Sequence, residues 1–324
     1  MKKLVITMGD PGGVGPEVVV KALNAPEVRK VCIPIVIGDG PVLEEALTML
    51  KIPLRMRIIK SPQEAGTQRR SIDLIQTETK NRFTKNRPTA AGGRACASYI
   101  KKAVELASRK QIDGIVTAPI SKEGLKMAGI PWPGHTEMLS ALTKTKDYAM
   151  MLVGGPLRVV LVTIHTALKN VPDLVTKQKV LKTIHLAKRA GDMLGLKKTK
   201  IAVAGLNPHA GEAGIFGDEE IEKIVPAVKK ALKEGILVSG PYPPDTIFHK
   251  AYQGKVDIVV CMYHDQGLIP LKMIAFDTGV NVTVGLPFVR TSPDHGTAYD
   301  IAWKGIADPS SMIEAIKLAA RLKG

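Results

Sequence analysis

The sequence contains few cysteines and no long apolar run, and each of these absences excludes a class of protein. The three cysteines, Cys32, Cys96 and Cys261, are far apart in apolar surroundings, so we expect reduced core thiols and neither a disulfide framework nor a Cys-x-x-Cys zinc site. No apolar run approaches the roughly 20 residues of a membrane-spanning helix, so we expect no membrane partner. Residues 1–7 have too few apolar side chains for a signal peptide and predict a first strand, so we expect a cytoplasmic protein.

Aromatic residues are also scarce, at 4% of the chain, whereas 46 Lys and Arg against 30 Asp and Glu give a formal net charge of +16. Such an excess of positive charge is typical of a protein that binds nucleic acid or a phosphorylated small molecule, or of a solvated basic surface. Proteins that bind single strands interleave basic and stacking aromatic side chains, and the sequence has no such run. We therefore expect no nucleic-acid partner and keep a basic nucleic-acid-binding protein as an alternative.

The usual nucleotide-binding fingerprints are missing as well. A glycine-rich turn at 9–17 follows the first predicted strand and precedes a helix, but its spacing fits neither G-x-G-x-x-G nor the P-loop. Two interpretations stay open for this turn. It either needs glycine conformations for a tight reversal, or it brings backbone amides to an anion at a helix N-terminus.

The apolar pattern alternates short β-branched runs with helical stripes, which predicts an α/β fold with a mostly parallel sheet. A length of 324 residues predicts two domains. Pro226 should kink its helix, and Ser311 and Glu314 have the spacing of a capping box. Helices are predicted over 95–110 and 176–194 and from 218 and 308 onward, and a surface excursion is predicted over 60–90.

Three of the seven histidines each follow an apolar run that predicts a strand. They are His165, His209 and His264. Because the carboxyl ends of parallel strands meet at one edge of a sheet, we expect these side chains to lie close together. Imidazoles beside polar partners suit a three-histidine metal site, and neutral imidazole favours zinc, cobalt or nickel over magnesium. The alternative is that each is a structural histidine with a satisfied hydrogen bond.

Two cations follow or end apolar segments, namely Lys272 and Arg290. Burying them is costly without an anion, so a phosphate or carboxylate is the natural partner, and two surface cations are the alternative. His135 and Thr136 stand in a stiff proline-rich turn before a predicted helix, where Thr136 alone would suit an N-cap. Asp245 lies in a second proline-rich turn that should expose it.

Five motifs follow one another along the chain, at residues 8–17, 134–137, 205–212, 262–267 and 285–298. In this order they resemble the 4-hydroxythreonine-4-phosphate dehydrogenase family of vitamin B6 synthesis over essentially the whole chain. The resemblance implies a fold like that of isocitrate and isopropylmalate dehydrogenases. It also implies a first domain of residues 1–135 plus 290–324, a second of 136–289 and an active site in the cleft between them.

The resemblance further implies the roles of particular residues and a homodimer with shared active sites, in which metal ligands come from both subunits. One divalent ion (zinc, magnesium or cobalt) would be bound by His165, His209 and His264. The phosphorylated substrate would contact His135, Thr136, Lys272, Asn281 and Arg290. The dinucleotide would contact Asp294, His295, Gly296 and Thr297, and either Asp245 or Asp265 would accept the proton.

The implied reaction is NAD-dependent oxidation of 4-phosphooxy-L-threonine to 2-amino-3-oxo-4-phosphooxybutanoate, which loses carbon dioxide to give 3-amino-2-oxopropyl phosphate. The choice between NAD and NADP stays open. Close paralogues of this family oxidise 4-phospho-D-threonate or 4-phospho-D-erythronate with the same groups, which is the main alternative. A metallohydrolase with three histidines and no nicotinamide is an alternative from another class.

Overall fold

The computed structural model describes residues 1–67, 70–77 and 83–324. Strands and α-helices alternate along most of the described chain, and none of these helices is both long and apolar enough to cross a lipid bilayer. The strands are β1 (Lys2–Thr7), β2 (Cys32–Gly38), β3 (Arg55–Ile58), β4 (Ser71–Gln76), β5 (Gly114–Thr117), β6 (Ala149–Gly154), β7 (Leu157–Leu161), β8 (Ile201–Ala204), β9 (Val238–Tyr242), β10 (Ile258–Cys261), β11 (Val280–Val284) and β12 (Val289–Pro293). The α-helices are α1 (Gly15–Asn24), α2 (Pro26–Val31), α3 (Gly40–Met49), α4 (Ala90–Ser108), α5 (Lys122–Met127), α6 (His135–Leu142), α7 (Val171–Leu174), α8 (Lys177–Met193), α9 (Val225–Lys233), α10 (Pro244–Tyr252), α11 (His264–Ala275) and α12 (Ser310–Arg321).

The backbone divides into two compact units. The first contains Met1–Lys146, Leu286–Leu322 and Gly324, and the second contains Asp147–Gly285 and Lys323. The chain passes between the units at 146/147 and 285/286, and α6 belongs to the first unit because it packs against α4. The domain boundaries that the resemblance implies, 135/136 and 289/290, remain a prediction.

The first unit contains six parallel strands in the order β3-β4-β2-β1-β5-β12. The middle strands are continuous apolar runs because both faces are covered, with α4 and α12 among the covering helices. Leu4, Ile6, Ile35, Ile37 and Tyr99 are fully buried in its core.

The second unit contains the order β11-β6-β7-β10-β8-β9. The pairs β7·β10, β10·β8 and β8·β9 are parallel, whereas β6 is antiparallel to both β7 and β11. Helices α8, α10 and α11 pack against these strands. The predicted α/β fold with a mostly parallel sheet is confirmed.

The local predictions hold where the apolar pattern is long. The predicted helix over 95–110 lies largely within α4, and Thr176 caps α8 by accepting a hydrogen bond from Lys179 N at 3.2 Å. The predicted excursion over 60–90 is wrong, because it contains the buried strand β4. Asp73 interrupts the apolar run of β4 and is buried against Arg57, whose Nε lies 2.7 Å from its carboxylate. Residues 68–69 and 78–82 of that segment lie outside the described residues.

Candidate active site

Three adjacent parallel strands of the second unit end at the same edge. β10 lies between β7 and β8, with Cys261 opposite Leu161 on one side and Val260 opposite Val203 on the other. The residues that follow these strands carry the three predicted metal ligands, His165, His264 and His209. The topology therefore directs all three loops to one edge, as the sequence pattern predicted.

The loop after β7 is tied to the loop after β10 by hydrogen bonds that continue the sheet. Thr163 donates to Met262 O twice, from its backbone N at 3.2 Å and from its hydroxyl at 2.7 Å. Farther out, the rings of His165 and His264 have centroids 5.8 Å apart. Together with Asp265 they line a pocket of about 270 Å³. The structure therefore brings two of the three predicted ligands side by side.

His264 is the first residue of α11 and pairs with its neighbour. Its Nδ1 lies 2.7 Å from a carboxylate oxygen of Asp265, whose side chain is 68% exposed. Donation from Nδ1 to the carboxylate leaves Nε2 with a lone pair, which is the arrangement in which a histidine ligates metal. Asp265, one of the two candidate proton acceptors, therefore also orients His264.

His209 lies in a left-handed turn between β8 and the next helical segment. Residues 209–213 have φ angles between 41° and 82°, which is costly for side chains other than glycine. The His209 ring lies 6.0 Å from the ring of Phe216. Within the described residues, no three His, Cys, Asp or Glu side chains are grouped closely enough to hold a metal ion. Within one chain, His209 therefore does not form a three-ligand group with His165 and His264.

Glu220 holds this left-handed turn in place, and the sequence analysis missed it. Its side chain is 2% exposed and accepts hydrogen bonds from Leu206 N at 2.6 Å, from Asn207 N at 2.8 Å and from Asn207 Nδ2 at 2.9 Å. A π-turn at Glu220–Ile224 places it there, directly before α9. The signal that could have revealed it is Pro226, which is incompatible with a regular helix running through this segment.

Arg290 is a buried cation of the first unit. It lies in β12, is 2% exposed and donates from Nη2 to the hydroxyl of Thr117 at 2.7 Å. Burial lowers the pKa of Arg290 to about 10, while the negative charge of Glu137 acts in the opposite direction. Arg290 therefore remains protonated at neutral pH, as an anion-binding group must.

His135 begins α6 in the same unit. Burial and the positive charge of Arg290 hold the pKa of His135 well below its ordinary value, so the ring is neutral at neutral pH. Its Nε2 is buried, and the described residues offer it no hydrogen-bond partner. An orphaned buried polar atom costs about 1–3 kcal/mol, so a bound ligand oxygen would relieve a real deficit. Thr136 is the second residue of α6 and Gly134 is the N-cap, so the N-cap interpretation of Thr136 is wrong.

The other predicted substrate residues belong to the second unit. Asn281 lies in β11, and its Oδ1 is buried without a hydrogen-bond partner among the described residues. Lys272 lies near the end of α11, with Nζ 5.6 Å from the ring centroid of Phe276. Asp245 is exposed in the first turn of α10. The assignment of these residues to a substrate remains a prediction.

The glycine-rich turn of the first unit packs against the predicted dinucleotide loop. Val14 N donates to Thr297 O at 3.0 Å, and a side chain at Gly13 would place a Cβ 2.9 Å from the same oxygen. Asp10 is buried and accepts from Tyr299 Oη at 2.8 Å, and its burial raises the pKa of the carboxyl group. Close packing therefore accounts for Gly13, which favours the structural interpretation of the turn.

The predicted dinucleotide loop is also tied to α12. Ser311 lies inside this helix, and its hydroxyl accepts a hydrogen bond from Asp294 N at 3.0 Å. The predicted capping box is therefore wrong, since Pro309 is the N-cap of α12, and Asp308 before it accepts from Ser310 N at 2.8 Å. Nδ1 of His295 lies 3.0 Å from Gly296 O on the exposed part of the loop.

The chain is similar to known proteins over nearly its full length. It matches the family described as pyridoxal phosphate biosynthetic protein PdxA over residues 30–319. The 4-hydroxythreonine-4-phosphate dehydrogenase of Desulforapulum autotrophicum is 49% identical over 97% of this chain and 94% of that protein. The D-threonate 4-phosphate dehydrogenase of Cupriavidus necator is 46% identical over 98% of this chain and 96% of that protein.

Solved structures agree with these similarities. The crystal structure of 4-hydroxythreonine-4-phosphate dehydrogenase from Klebsiella pneumoniae is 42% identical, covers 98% of both chains and has a TM-score of 0.92. A β-decarboxylating dehydrogenase from Thermococcus kodakarensis is 13% identical over 99% of this chain and 82% of that chain, with a TM-score of 0.50, and supports the fold alone. The predicted fold, which is like that of isocitrate and isopropylmalate dehydrogenases, is confirmed. The chain belongs to the family of the pyridoxal phosphate biosynthetic protein PdxA.

Proposed function

We propose that the protein oxidises 4-phosphooxy-L-threonine at C3 with NAD to give 2-amino-3-oxo-4-phosphooxybutanoate, which then loses carbon dioxide to give 3-amino-2-oxopropyl phosphate. The observation that carries the proposal is the pair of imidazoles at adjacent strand ends, His165 and His264, with a carboxylate on Nδ1 of the second. This pair is suited to holding a divalent ion beside a substrate hydroxyl. The identity of the substrate is inferred from the names of relatives in the same family.

The anionic parts of the substrate would contact buried polar groups. Arg290 supplies a fixed positive charge with planar donors, which suits a phosphate or carboxylate. His135 supplies a neutral ring that can donate from Nε2, the atom without a partner among the described residues. Thr136, Lys272 and Asn281 complete the proposed set of substrate contacts.

The donor set fits a divalent metal in part. His165 and His264 provide two imidazoles within one chain, and His209 of a second copy would provide the third, since no group of three potential ligands occurs in the described part of a single chain. When bound, a zinc, cobalt or magnesium ion would lower the pKa of the substrate hydroxyl and so favour loss of its proton. The chain itself orients His264 through Asp265 and holds the His209 turn through Glu220.

Proton transfer and hydride transfer would each use a further set of residues. Asp265 and Asp245 are the candidate acceptors of the hydroxyl proton, and both are exposed carboxylates. The loop of Asp294, His295, Gly296 and Thr297 would hold NAD, whose nicotinamide takes the hydride from C3. The hydrogen bond from Asp294 N to Ser311 fixes the start of this loop on α12.

A homodimer is part of the proposal. The helix that begins with His264 exposes large apolar side chains, with Ile269 at 60%, Met273 at 82% and Phe276 at 73% exposure. Contiguous exposed apolar side chains mark an interaction surface. A second copy of the chain that covers α11 would lie next to the strand ends and would be placed to supply the third histidine.

Oxidation of 4-phospho-D-threonate is the second candidate function, with 4-phospho-D-erythronate as a related substrate. The Cupriavidus necator relative that carries the D-threonate name is 46% identical, against 49% for the Desulforapulum autotrophicum relative, so similarity does not separate them. These substrates share the phosphate, the carboxylate and the oxidised hydroxyl, and differ at the carbon that bears the amino group. The same proposed contacts therefore serve both.

Formation of NADH by metal-stripped protein and by protein restored with zinc or magnesium tests the proposal. We expect turnover only after metal is restored, and a much higher kcat/KM for 4-phosphooxy-L-threonine than for the two phospho-sugar acids. A preference for 4-phospho-D-threonate or 4-phospho-D-erythronate would support the second candidate. Absence of turnover with all three substrates, with either NAD or NADP, would contradict the dehydrogenase proposal and favour a metallohydrolase.

A further inference from the structure

The loop that carries His264 is held differently on its two sides. Toward β7, backbone hydrogen bonds continue past the strand, from Val162 N to Cys261 O at 2.9 Å and then from Thr163 to Met262 O. Toward β8, the strand pairing ends at Val260 opposite Val203. The sheet itself therefore positions the His264 loop against the His165 loop, but not against the His209 loop.

Gln266 replaces the missing pairing on the β8 side. Its Oε1 accepts from Met262 N at 2.6 Å, and its Nε2 donates to Gly205 O at 2.7 Å. The residue is 7% exposed, so both hydrogen bonds are shielded from water. One carboxamide thus joins the residue that follows β10 to the residue that follows β8.

Gly205 is the base of the loop that carries His209. Its own N donates to Tyr242 O at 2.8 Å, and a Cβ built on it would lie 2.9 Å from Cα of Ala210 in the left-handed turn. The next two backbone amides, of Leu206 and Asn207, are taken by Glu220. A displacement of the Gly205 carbonyl therefore passes directly into the turn that presents His209.

We propose that Gln266 is a positioning residue, whose buried carboxamide sets the place of the His209 loop relative to the His264 loop. This inference rests on the proposed function, in which the His264 loop serves the metal site of its own chain and the His209 loop serves that of a second copy, so the spacing of the two loops within one chain affects both sites. A carboxamide is suited to the task, since it offers one acceptor and one donor on a planar group. A carboxylate would keep the acceptor for Met262 N and place a second oxygen against Gly205 O.

Two substitutions separate positioning from simple stabilisation. Gln266→Glu keeps the shape but replaces the donor to Gly205 O with a carboxylate oxygen, whereas Gln266→Met removes both hydrogen bonds. Gln253→Met is the matched control, because Gln253 is exposed at the C-terminal end of α10, where its side-chain amide pairs with the nearby His249 and joins no strand-end loops. Circular dichroism and thermal unfolding of the metal-free proteins show whether each variant is folded.

The measurements are the dissociation constant for Zn²⁺, by competition with a chromophoric chelator, and the visible absorption of the Co²⁺-loaded full-length protein. We expect both Gln266 variants to bind Zn²⁺ roughly 10–100-fold more weakly than the wild type and to change the Co²⁺ spectrum, as loss of an outer-shell partner typically does. Gln253→Met should match the wild type in both.

Three results would overturn the inference. If folded Gln266→Glu binds Zn²⁺ within about twofold of the wild type with an unchanged Co²⁺ spectrum, Gln266 only stabilises the fold, although the proposed metal site survives. If Gln253→Met weakens binding equally, the effect is not specific to the loop. If the wild type itself binds no Zn²⁺ or Co²⁺, the proposed metal site fails, and the role of Gln266 fails with it.

Discussion

Arg290 and His135 lie in the same region of the first unit but differ in protonation state at neutral pH. Arg290 stays protonated despite burial, because its pKa falls only to about 10. His135 cannot easily gain a proton, since burial and the charge of Arg290 both lower its pKa. The region therefore holds one fixed positive charge and one neutral ring around neutral pH, a combination that attracts a phosphate and also satisfies its oxygens with hydrogen bonds.

The neutral state of His135 predicts a particular pH dependence of stability. Below its ordinary pKa of 6.5, the histidine gains a proton in the unfolded chain but not in the folded chain, so stability falls as the pH falls from 6.5 toward the lower folded-state pKa. One such proton contributes up to about 1.4 kcal/mol of unfolding free energy per pH unit. We expect His135→Gln to remove this contribution and to flatten the loss of thermal stability between about pH 6.5 and about pH 5.

His249→Gln is the control for this prediction, because His249 is exposed on α10. Thermal unfolding of the wild type and both variants, followed by circular dichroism across this pH range, provides the comparison. The wild type and His249→Gln should lose stability in parallel on acidification. A His135→Gln variant that loses stability as steeply as they do would show that His135 becomes protonated in the folded protein.

The helix that begins near Asp218 is irregular for a reason that lies in the neighbouring loop. Val225 N donates to Glu220 O, which closes a π-turn directly before Pro226. Pro226 cannot donate a backbone hydrogen bond, so a regular helix would leave a carbonyl without its donor at this point. The π-turn accommodates the proline and brings Glu220 under the loop of His209, which links a sequence irregularity to the loop of a proposed metal ligand.

Glu220→Gln tests this arrangement. The carboxylate accepts from Leu206 N, Asn207 N and Asn207 Nδ2, whereas a carboxamide would set its NH₂ group against at least one of these donors. A buried donor left without an acceptor costs about 1–3 kcal/mol, so we expect a measurable fall in the urea midpoint. Glu222→Gln, at an exposed position of the same turn, should change stability by no more than about 0.5 kcal/mol. Equal midpoints for the two variants would contradict the role of Glu220.

The strands that carry the candidate site were predictable, but the residues that support their loops were not. His165, His209 and His264 follow short apolar strands, and parallel strands end at one edge, so the pattern predicted the edge. It did not predict that, within one chain, His209 stays apart from the other two histidines among the described residues. Glu220 accepts from backbone amides 13 and 14 residues away, and Gln266 joins Met262, 4 residues away, to Gly205, 61 residues away. No local pattern marks such distant partners. Their signal would be a polar residue at a position that the helical pattern leaves buried.

The fold shows the same contrast. The middle strands of the first unit were predictable because both of their faces are buried and their sequences are uniformly apolar. Strand β4 was missed because Asp73 interrupts its apolar run, and its contacts with Arg57 Nε and Gly66 N explain how that carboxylate is buried. Arg57 lies 16 residues earlier, in a strand that contains two arginines among its four residues.

At the scale of the whole molecule, the net charge opposes self-association. A formal charge of +16 on each chain means that two copies repel each other at low ionic strength, with a screening length near 10 Å at 0.1 M salt. Burial of apolar surface must therefore supply the free energy of the proposed homodimer. The exposed apolar side chains near the C-terminal end of α11, with Met273 at 82% and Phe276 at 73% exposure, offer such surface.

Met273→Lys tests the proposed interface directly. The substitution would place an unpaired cation at the centre of the apolar face and add to the repulsion between two positive chains, so we expect a monomer of 34.8 kDa where the wild type has twice that mass. Size-exclusion chromatography with light scattering measures both masses. Met127→Lys is the control, because Met127 is 55% exposed on α5 of the first unit, and this variant should keep the mass of the wild type.

If the metal site needs His209 from a second copy, the Met273→Lys monomer will also bind Zn²⁺ much more weakly. A dimeric Met273→Lys would place the interface elsewhere, and a monomeric wild type with full Zn²⁺ affinity would mean that one chain completes the site alone.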